Sequence, residues 1–404
     1  MKYKEALAWL YSLQRFGIKL GLENIRRLIA ELDVDPVTAR VIHVAGTNGK
    51  GSVCAMIDRI CRAQKYRTGL FISPHLVTFR ERIRIDGEMI SENEVLAGLT
   101  NIRKLVADWE PHPTFFEIAT ALALQHFADA KIDIVILETG LGGRLDATNA
   151  VQSNVAVITP IALDHEKWLG DSLEKIANEK AGIIKAQTPV VSAPQLREVD
   201  KVIRARATEC EAPLQFVTEA YGKSPIALRG EHQKLNAAIA IAAIRAANVE
   251  IDESAVTRGL ATVEWPGRFQ CWDKRTVIDG AHNPAAARIL TQTWREIFDD
   301  ERATLILAIL SDKDLLGICQ ALAPIANSVL LPKIRSERAA DPTELSKILV
   351  DLGCKSEIFS SFVDAFDKAR EQRDPVLITG SLHFAGEALA HLRGEPAAFE
   401  ECAQ

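Results

Sequence analysis

At 404 residues the chain exceeds what one ordinary core organises, so two domains are expected. Apolar content of 48% with 25% charged residues describes a soluble globular protein, and a net charge of −6 gives no reason to expect nucleic-acid binding. No apolar run reaches membrane-spanning length, no signal-like leader follows Lys2, Lys4 and Glu5, and the seven scattered cysteines form no C-x-x-C pair. Membrane spanning, secretion and a cysteine zinc centre are thereby set aside, and a cytoplasmic monomer with reduced thiols is expected.

Residues 3–32 read as two helices, with Ala6, Leu10 and Leu13 and then Leu22, Ile25, Leu28, Ile29 and Leu32 at helical spacing, closed by Pro36. A β-branched run from Val41 to Val44 then enters Gly46-Thr47-Asn48-Gly49-Lys50-Gly51-Ser52, and Val53, Met56, Ile57 and Ile60 resume a helical period. This is strand, phosphate loop, helix. Glycines let the backbone approach an anion and turn N–H groups toward it, and the helix N-terminus adds partial positive charge. Lys50 supplies a full charge, and Thr47 and Ser52 supply hydroxyls for phosphate or magnesium. The usual pattern has four residues between its first glycine and the Gly-Lys pair; here there are only Thr47 and Asn48, and Ser52 comes one place late. The bland alternative is an ordinary tight turn.

Residues 68–72 form a second strand, and the polar, aromatic segment from Ser73 to Arg84 reads as a long loop, either mobile or functional. Ser91 with Glu94 is a capping box, and Thr114 opens a helix running through Phe127. Residues 133–138 are a buried strand ending in Glu138, followed by the glycine-rich segment 139–149. Another strand at 155–159 leads to Asp164-His165. A helix from about 173 to 184 carries Glu179-Lys180, and 189–191 is a strand. Strands alternating with helices predict a doubly wound, mainly parallel sheet, in which ligands sit beyond the carboxyl ends of the strands. The 46–52 loop, Ser73, Glu138, Thr159 and His165 all lie at such ends.

Residues 210–230 are irregular with a short β segment, and Gly230 to Asn236 opens an alanine-rich helix. Trp265-Pro266-Gly267-Arg268 reads as a hinge. From about 275 the alternation restarts, with strands at 277–279, 305–310, 329–331 and 376–379 and the turns Gly280 to Pro284 and Gly380-Ser381. Two α/β domains facing one another across a cleft are therefore expected: residues 1–272, which carry the phosphate loop, and a smaller domain, 273–404.

Glu138 ends a wholly apolar strand, where a charge is costly unless paired or metal-bound; a magnesium ligand and a salt-bridged cap are the two readings. His165 is as consistent with a packed histidine as with a site residue, and Lys180 by periodicity is a solvated helix lysine. Arg268, Asp279 and His282 are either hinge and cap residues or groups reaching ATP from the second domain. The glycines at 140–143 with Arg144 and Asp146 are either a plain loop or the holder of an anionic substrate.

Taken together, the runs 43–52, 73–76, 138–149, 164–165, 179–182, 265–268 and 279–284 resemble the folylpolyglutamate synthase and dihydrofolate synthase family, within the Mur ligase superfamily. The resemblance implies an ATP-dependent ligase that adds L-glutamate to dihydropteroate, to the γ-carboxylate of reduced folates, or to both. Lys50 with Gly46, Thr47, Asn48, Gly49, Gly51 and Ser52 would hold the ATP phosphates. Ser73, Glu138 and His165 would bind two magnesium ions. Lys180 would react with carbon dioxide to a carbamate, becoming an oxygen ligand beside the metal. Asn236, Arg268 and Asp279 would contact the nucleotide, and His282 the phosphates or glutamate. Lys50, Lys180, His165 and His282 form the expected catalytic set, and Phe116, Arg144, Asp146, His282 and Ser381 the expected substrate contacts. Thr139 stands where the family often has valine or isoleucine. A cell-wall-precursor ligase is the nearest rival, but only about forty residues precede the first strand, too few for its nucleotide-sugar domain. A non-catalytic nucleotide-binding module is the rival from another class.

Overall fold

The computed structural model describes residues 2–16, 21–34, 39–299 and 301–400; Pro36 and Cys402 lie outside them. Strands are β1 (Arg40–Ala45), β2 (Thr68–Phe71), β3 (Ile83–Ile85), β4 (Glu88–Met89), β5 (Ile134–Glu138), β6 (Val155–Ile158), β7 (Val190–Ser192) and β8 (Leu214–Phe216) in the first sheet. The second holds β9 (Gln270–Cys271), β10 (Thr276–Ile278), β11 (Ala303–Leu307), β12 (Ala326–Pro332), β13 (Ser356–Phe359) and β14 (Val376–Thr379).

The first sheet runs β4-β3-β2-β5-β1-β6-β7-β8, parallel from β2 to β8, with the β2–β3–β4 edge antiparallel. Both faces are covered, which is why its strands read as continuous apolar runs. Alternation sorts them. Val135 and Leu137 face the helices Tyr3–Ser12, Glu23–Glu31, Glu92–Leu105 and Phe115–Asp129, whereas Ile134 and Ile136 face Lys50–Ala63, His232–Ala246 and Glu253–Ala261. β1 lies between β5 and β6, with Val44 opposite both Glu138 and Val157. The chain leaves β1 toward β2 on one side and β6 pairs on the other, so the crevice of a topological switch point opens at the carboxyl end of β1.

The expected loop at 73–84 is shorter than its polarity suggests. Phe79–Arg82 is one 3₁₀ turn and residues 83–89 form a hairpin, closed by Asp86 and Gly87, both at positive φ.

The second sheet, β13-β12-β11-β14-β10-β9, is parallel except for β9. Helices Pro284–Phe298 and Leu315–Leu322 cover one face, and Phe362–Glu371 and Leu382–Leu392 the other. β9 joins this sheet from just before the 272/273 boundary expected from the sequence, and β13 lacks the apolar pattern that would have announced it, two of its four residues being exposed. Val77, from the first half of the chain, is buried in the second domain's apolar cluster with Phe384, Ala385 and Leu389.

Candidate active site

β1 ends at Ala45 and the chain turns through Gly46 at φ +146, where a Cβ would fall 1.9 Å from the Thr159 hydroxyl. Gly49 caps helix Lys50–Ala63 in the left-handed region at φ +88, as glycine permits. Thr47 is tied to the loop after β6: its Oγ1 donates to the Ala162 carbonyl and accepts from the Ala162 amide, both at 3.1 Å. Lys50 folds back over its own loop, donating to the carbonyls of Gly46 at 3.2 Å and Thr47 at 3.4 Å. Lys180, from helix Leu173–Ala181, reaches the same Gly46 carbonyl at 2.9 Å and is buried. Burial first, and the neighbouring Lys50 charge second, push the Lys180 amine down to about 7, so near neutral pH much of it is uncharged. Asn236 enters through a relay: its amide donates to Gln233 at 2.9 Å, and Gln233 donates to Ser52 Oγ at 3.5 Å.

Opposite the loop, Glu138 ends β5 fully enclosed. Burial raises its carboxyl, Lys50 and then Arg268 opposing, and its one hydrogen-bond donor among the described residues is the Ser73 amide at 3.4 Å. The Ser73 hydroxyl is buried with no hydrogen-bond partner among the described residues. A carboxylate and an orphaned hydroxyl side by side suit a hard, oxygen-seeking cation. Among the described residues no group of three or more His, Cys, Asp or Glu side chains gathers to cage a metal. Magnesium takes few protein ligands and fills its shell with water and phosphate oxygens. His165 stands in the left-handed region at φ 54 and lines the same cleft. Burial pushes its imidazole down to about 3, with Asp164 opposing, so at neutral pH the ring is uncharged and able to ligate.

The second domain closes the cleft on Asp164. Lys313 Nζ lies 2.7 Å from Asp164 Oδ1, Asn283 Nδ2 donates to Oδ2 at 3.1 Å, and His282 Nε2 is 3.5 Å away. Asn48 and Asn283 exchange hydrogen bonds of 3.1 and 3.3 Å across the gap. Burial alone would raise the Asp164 carboxyl; His282, His165 and Lys313 together hold it well below the usual range. His282 Nδ1 donates to the Gly280 carbonyl at 2.9 Å, which turns Nε2 toward Asp164. Lys313 had only one signal in the sequence, a lysine just beyond β11.

Arg268 and Asp279 also line the cleft, but Asp279 is occupied: it accepts from the Phe269 amide at 2.7 Å and the Ala281 amide at 2.8 Å, holding the hinge. Burial raises its carboxyl, with Arg268 the main opposing charge. Ser381 lines the cleft while capping helix Leu382–Leu392. Three expected substrate contacts stand apart. Asp146 is spent within its own loop, accepting from the amides of Gly140 and Leu141 at 2.9 Å and Thr148 at 3.0 Å, and from the Thr148 hydroxyl. Arg144 pairs with Glu179 at 2.8 Å on the surface. The Phe116 ring backs Gly140, where a Cβ would fall 2.6 Å from it. None of the three lines the cleft; they shape the glycine turn beside it.

Residues 44–193 match the Mur ligase middle domain and residues 267–382 the Mur ligase glutamate ligase domain. The dihydrofolate synthase/folylpolyglutamate synthase of Bacillus subtilis is 34% identical over 97% of this chain and 99% of its own length. Among solved structures, Escherichia coli FolC in complex with DHPP and ADP superposes with a TM-score of 0.89 at 34% identity, over 96% of this chain and 98% of that one. The bifunctional enzyme of Yersinia pestis complexed with AMPPNP and Mn ion superposes with a TM-score of 0.88 at 33% identity, over 97% and 98%. Both Mur ligase domains in order, and a third of the residues shared along nearly the whole length, make this chain a member of the dihydrofolate synthase/folylpolyglutamate synthase family.

Proposed function

We propose that this protein joins L-glutamate both to dihydropteroate and to the γ-carboxylate of reduced folates, in two steps within the one cleft. The acceptor carboxylate attacks the γ-phosphate of ATP, giving an acyl phosphate and ADP. The glutamate amine then attacks the acyl carbon, giving the amide and phosphate. The observation that carries this reading is that the Lys50 and Lys180 amines meet on the Gly46 carbonyl, in a cleft shared with Glu138 and the unpartnered Ser73 hydroxyl.

Lys50 leaves its loop carbonyls and spreads its charge over the transferring phosphoryl group, while the loop amides and Ser52 hold the other phosphates; catalysis of this step is positioning and electrostatics. Glu138, Ser73 and His165 would hold the cation, and magnesium bound there screens the phosphate charge. Lys180, buried and partly uncharged, is suited to take up carbon dioxide as a carbamate and become a further oxygen ligand. Asn236 and Arg268 would contact the nucleotide, with Asp279 holding the hinge that presents Arg268. His282 and Ser381 face the glutamate side, and the turn built by Asp146, Arg144 and Phe116 would seat the acceptor's ring system. The bridges from Asp164 to Lys313, His282 and Asn283 keep the domains together, which excludes water from the acyl phosphate.

We take residues 1–272 and 273–404 as the two functional halves and the enzyme as a cytoplasmic monomer; no described helix is long and apolar enough to cross a membrane. The test supplies ATP, magnesium and glutamate with dihydropteroate or with a reduced folate, and follows ADP and product mass. Glutamate-dependent ADP release with both acceptors is expected. ATP binding without such release rejects the ligase reading; activity with reduced folate alone rejects the dual one.

A further inference from the structure

The loop between β2 and β3 begins in the cleft of one domain and is seated in the core of the other. Ser73, at its start, lies against Glu138. Val77, four residues on, is packed among Phe362, Phe384 and Ala385 of the second domain. Between them Leu76 lies so close to helix Leu382–Leu392 that a Cβ on Gly386 would fall 1.8 Å from the Leu76 carbonyl oxygen. The loop is braced from within. Glu81 accepts from the amides of Leu76, Val77 and Thr78 at 2.9, 3.0 and 3.2 Å, and Arg82 Nε donates to His75 Nδ1 at 2.8 Å. A loop braced in this way moves as a unit, so whatever seats its tip also places Ser73.

The tip has a second fastening. Residues 396–400 return from the end of the second domain, and Glu400 closes on the loop through both backbone and side chain. Its amide donates to the Val77 carbonyl at 2.8 Å, and its carbonyl accepts from His75 Nε2 at 3.1 Å. Its carboxylate accepts from the Phe79 amide at 2.6 Å, the Thr78 hydroxyl at 3.2 Å and the Tyr3 hydroxyl at 3.4 Å. Because His75 Nδ1 accepts from Arg82, its Nε2 carries the proton that goes to Glu400. His75 itself is buried and lines the cleft beside Ser73.

We propose that residues 396–400 form a strap that locks loop 73–82 onto the second domain, and that Glu400 is thereby a positioning residue for the Ser73 hydroxyl at the cation site. The inference rests on the reading of Ser73 and Glu138 as cation ligands. The second domain then does more than cover the cleft: by holding the loop it completes the cation shell of the first.

The test uses the full chain as wild type, Glu400→Ala, Glu400→Gln and Gly386→Ala. Three quantities are read: hydrogen exchange at residues 77–79 in the ligand-free protein, Mn²⁺ affinity of the complex with a non-hydrolysable ATP analogue, and the magnesium and glutamate dependence of ADP release. In Glu400→Ala the Phe79 amide loses protection and Mn²⁺ affinity falls about tenfold, the equivalent of one or two buried hydrogen bonds, with KM for glutamate unchanged. Glu400→Gln keeps an oxygen for Phe79 and Thr78 and recovers most of the affinity. Gly386→Ala, pushing the loop from the opposite side, gives the same cation-selective loss. Wild-type Mn²⁺ affinity in Glu400→Ala overturns the proposal, as does a loss falling equally on cation and glutamate. Absence of glutamate-dependent turnover in the wild type strikes the ligase reading instead, and the exchange and Mn²⁺ measurements still decide the strap.

Discussion

Gly51, the second residue of the phosphate-loop helix, lies flat under the hinge tryptophan. A Cβ there would fall 2.6 Å from Trp265 Nε1 and 3.2 and 3.3 Å from two further ring atoms. The backbone at Gly51 is ordinary helix, so Gly51→Ala meets only this steric penalty. An extra carbon forced into a packed contact costs about 1–3 kcal/mol. At about 1.4 kcal/mol per decade, the weakening of ATP binding spans about fivefold to more than a hundredfold if the loop gives way rather than the hinge. Trp265 is only half-buried, so Trp265→Ala costs about 2 kcal/mol, below the range for a core aromatic. In the Trp265→Ala background the obstacle is gone, and Gly51→Ala becomes neutral or gains about 0.5–1 kcal/mol of helix propensity. A double-mutant cycle with urea unfolding and ATP affinity as readouts should therefore show about 1–4 kcal/mol of favourable coupling between the two changes. Additive effects, within about 0.5 kcal/mol, would falsify the claim that hinge and phosphate loop share one packed contact.

Lys180 makes stability depend on pH in a definite direction. Its amine titrates at about 7 folded against 10.5 free, so between those values the unfolded chain binds more protons and stability rises with pH; below 7 the full cost of burying the charge is carried. That cost is on the order of a few kcal/mol, the bond to the Gly46 carbonyl being already part of the balance. Lys180→Met should accordingly stabilise the protein most near pH 6 in bicarbonate-free buffer, lose the advantage by about pH 10, and abolish turnover; urea unfolding showing the same difference at both pH values refutes the assignment. Lys313→Met leaves Asp164 with His282 and Asn283, so the cost is about 2 kcal/mol rather than the 3–5 of a charge stranded alone. It should lower kcat/KM for glutamate about thirtyfold with ATP affinity intact, and a parallel loss of ATP affinity counts against the closure role. Asp146→Asn turns a donor onto the Gly140 or Leu141 amide or the Thr148 pair, at about 2 kcal/mol, and should raise KM for the acceptor acid while sparing ATP. Unchanged acceptor KM removes the glycine turn from that site.

Much of the ATP half was legible because its signals are local. A β-branched run, glycines that permit positive φ and one lysine specify the phosphate loop within a dozen residues, and a carboxylate ending an apolar strand marks Glu138 as costly before any coordinates exist. The alternation of periods predicted both parallel sheets, and residues 265–268 lie between the helix Glu253–Ala261 and β9. Other features were settled only when distant segments packed together. By periodicity Lys180 is a surface lysine, yet helix Leu173–Ala181 delivers it, buried, to the Gly46 carbonyl. The Asp146 carboxylate is engaged by its own loop, and the pairing of Lys313 with Asp164 and the seat of Glu400 on loop 73–82 join segments too far apart in the chain for a local pattern to show. Propensity and periodicity act over a few residues and are written in the chain. Burial, charge pairing and the free energy of a proton depend on what arrives from elsewhere, and those the tertiary structure alone decided.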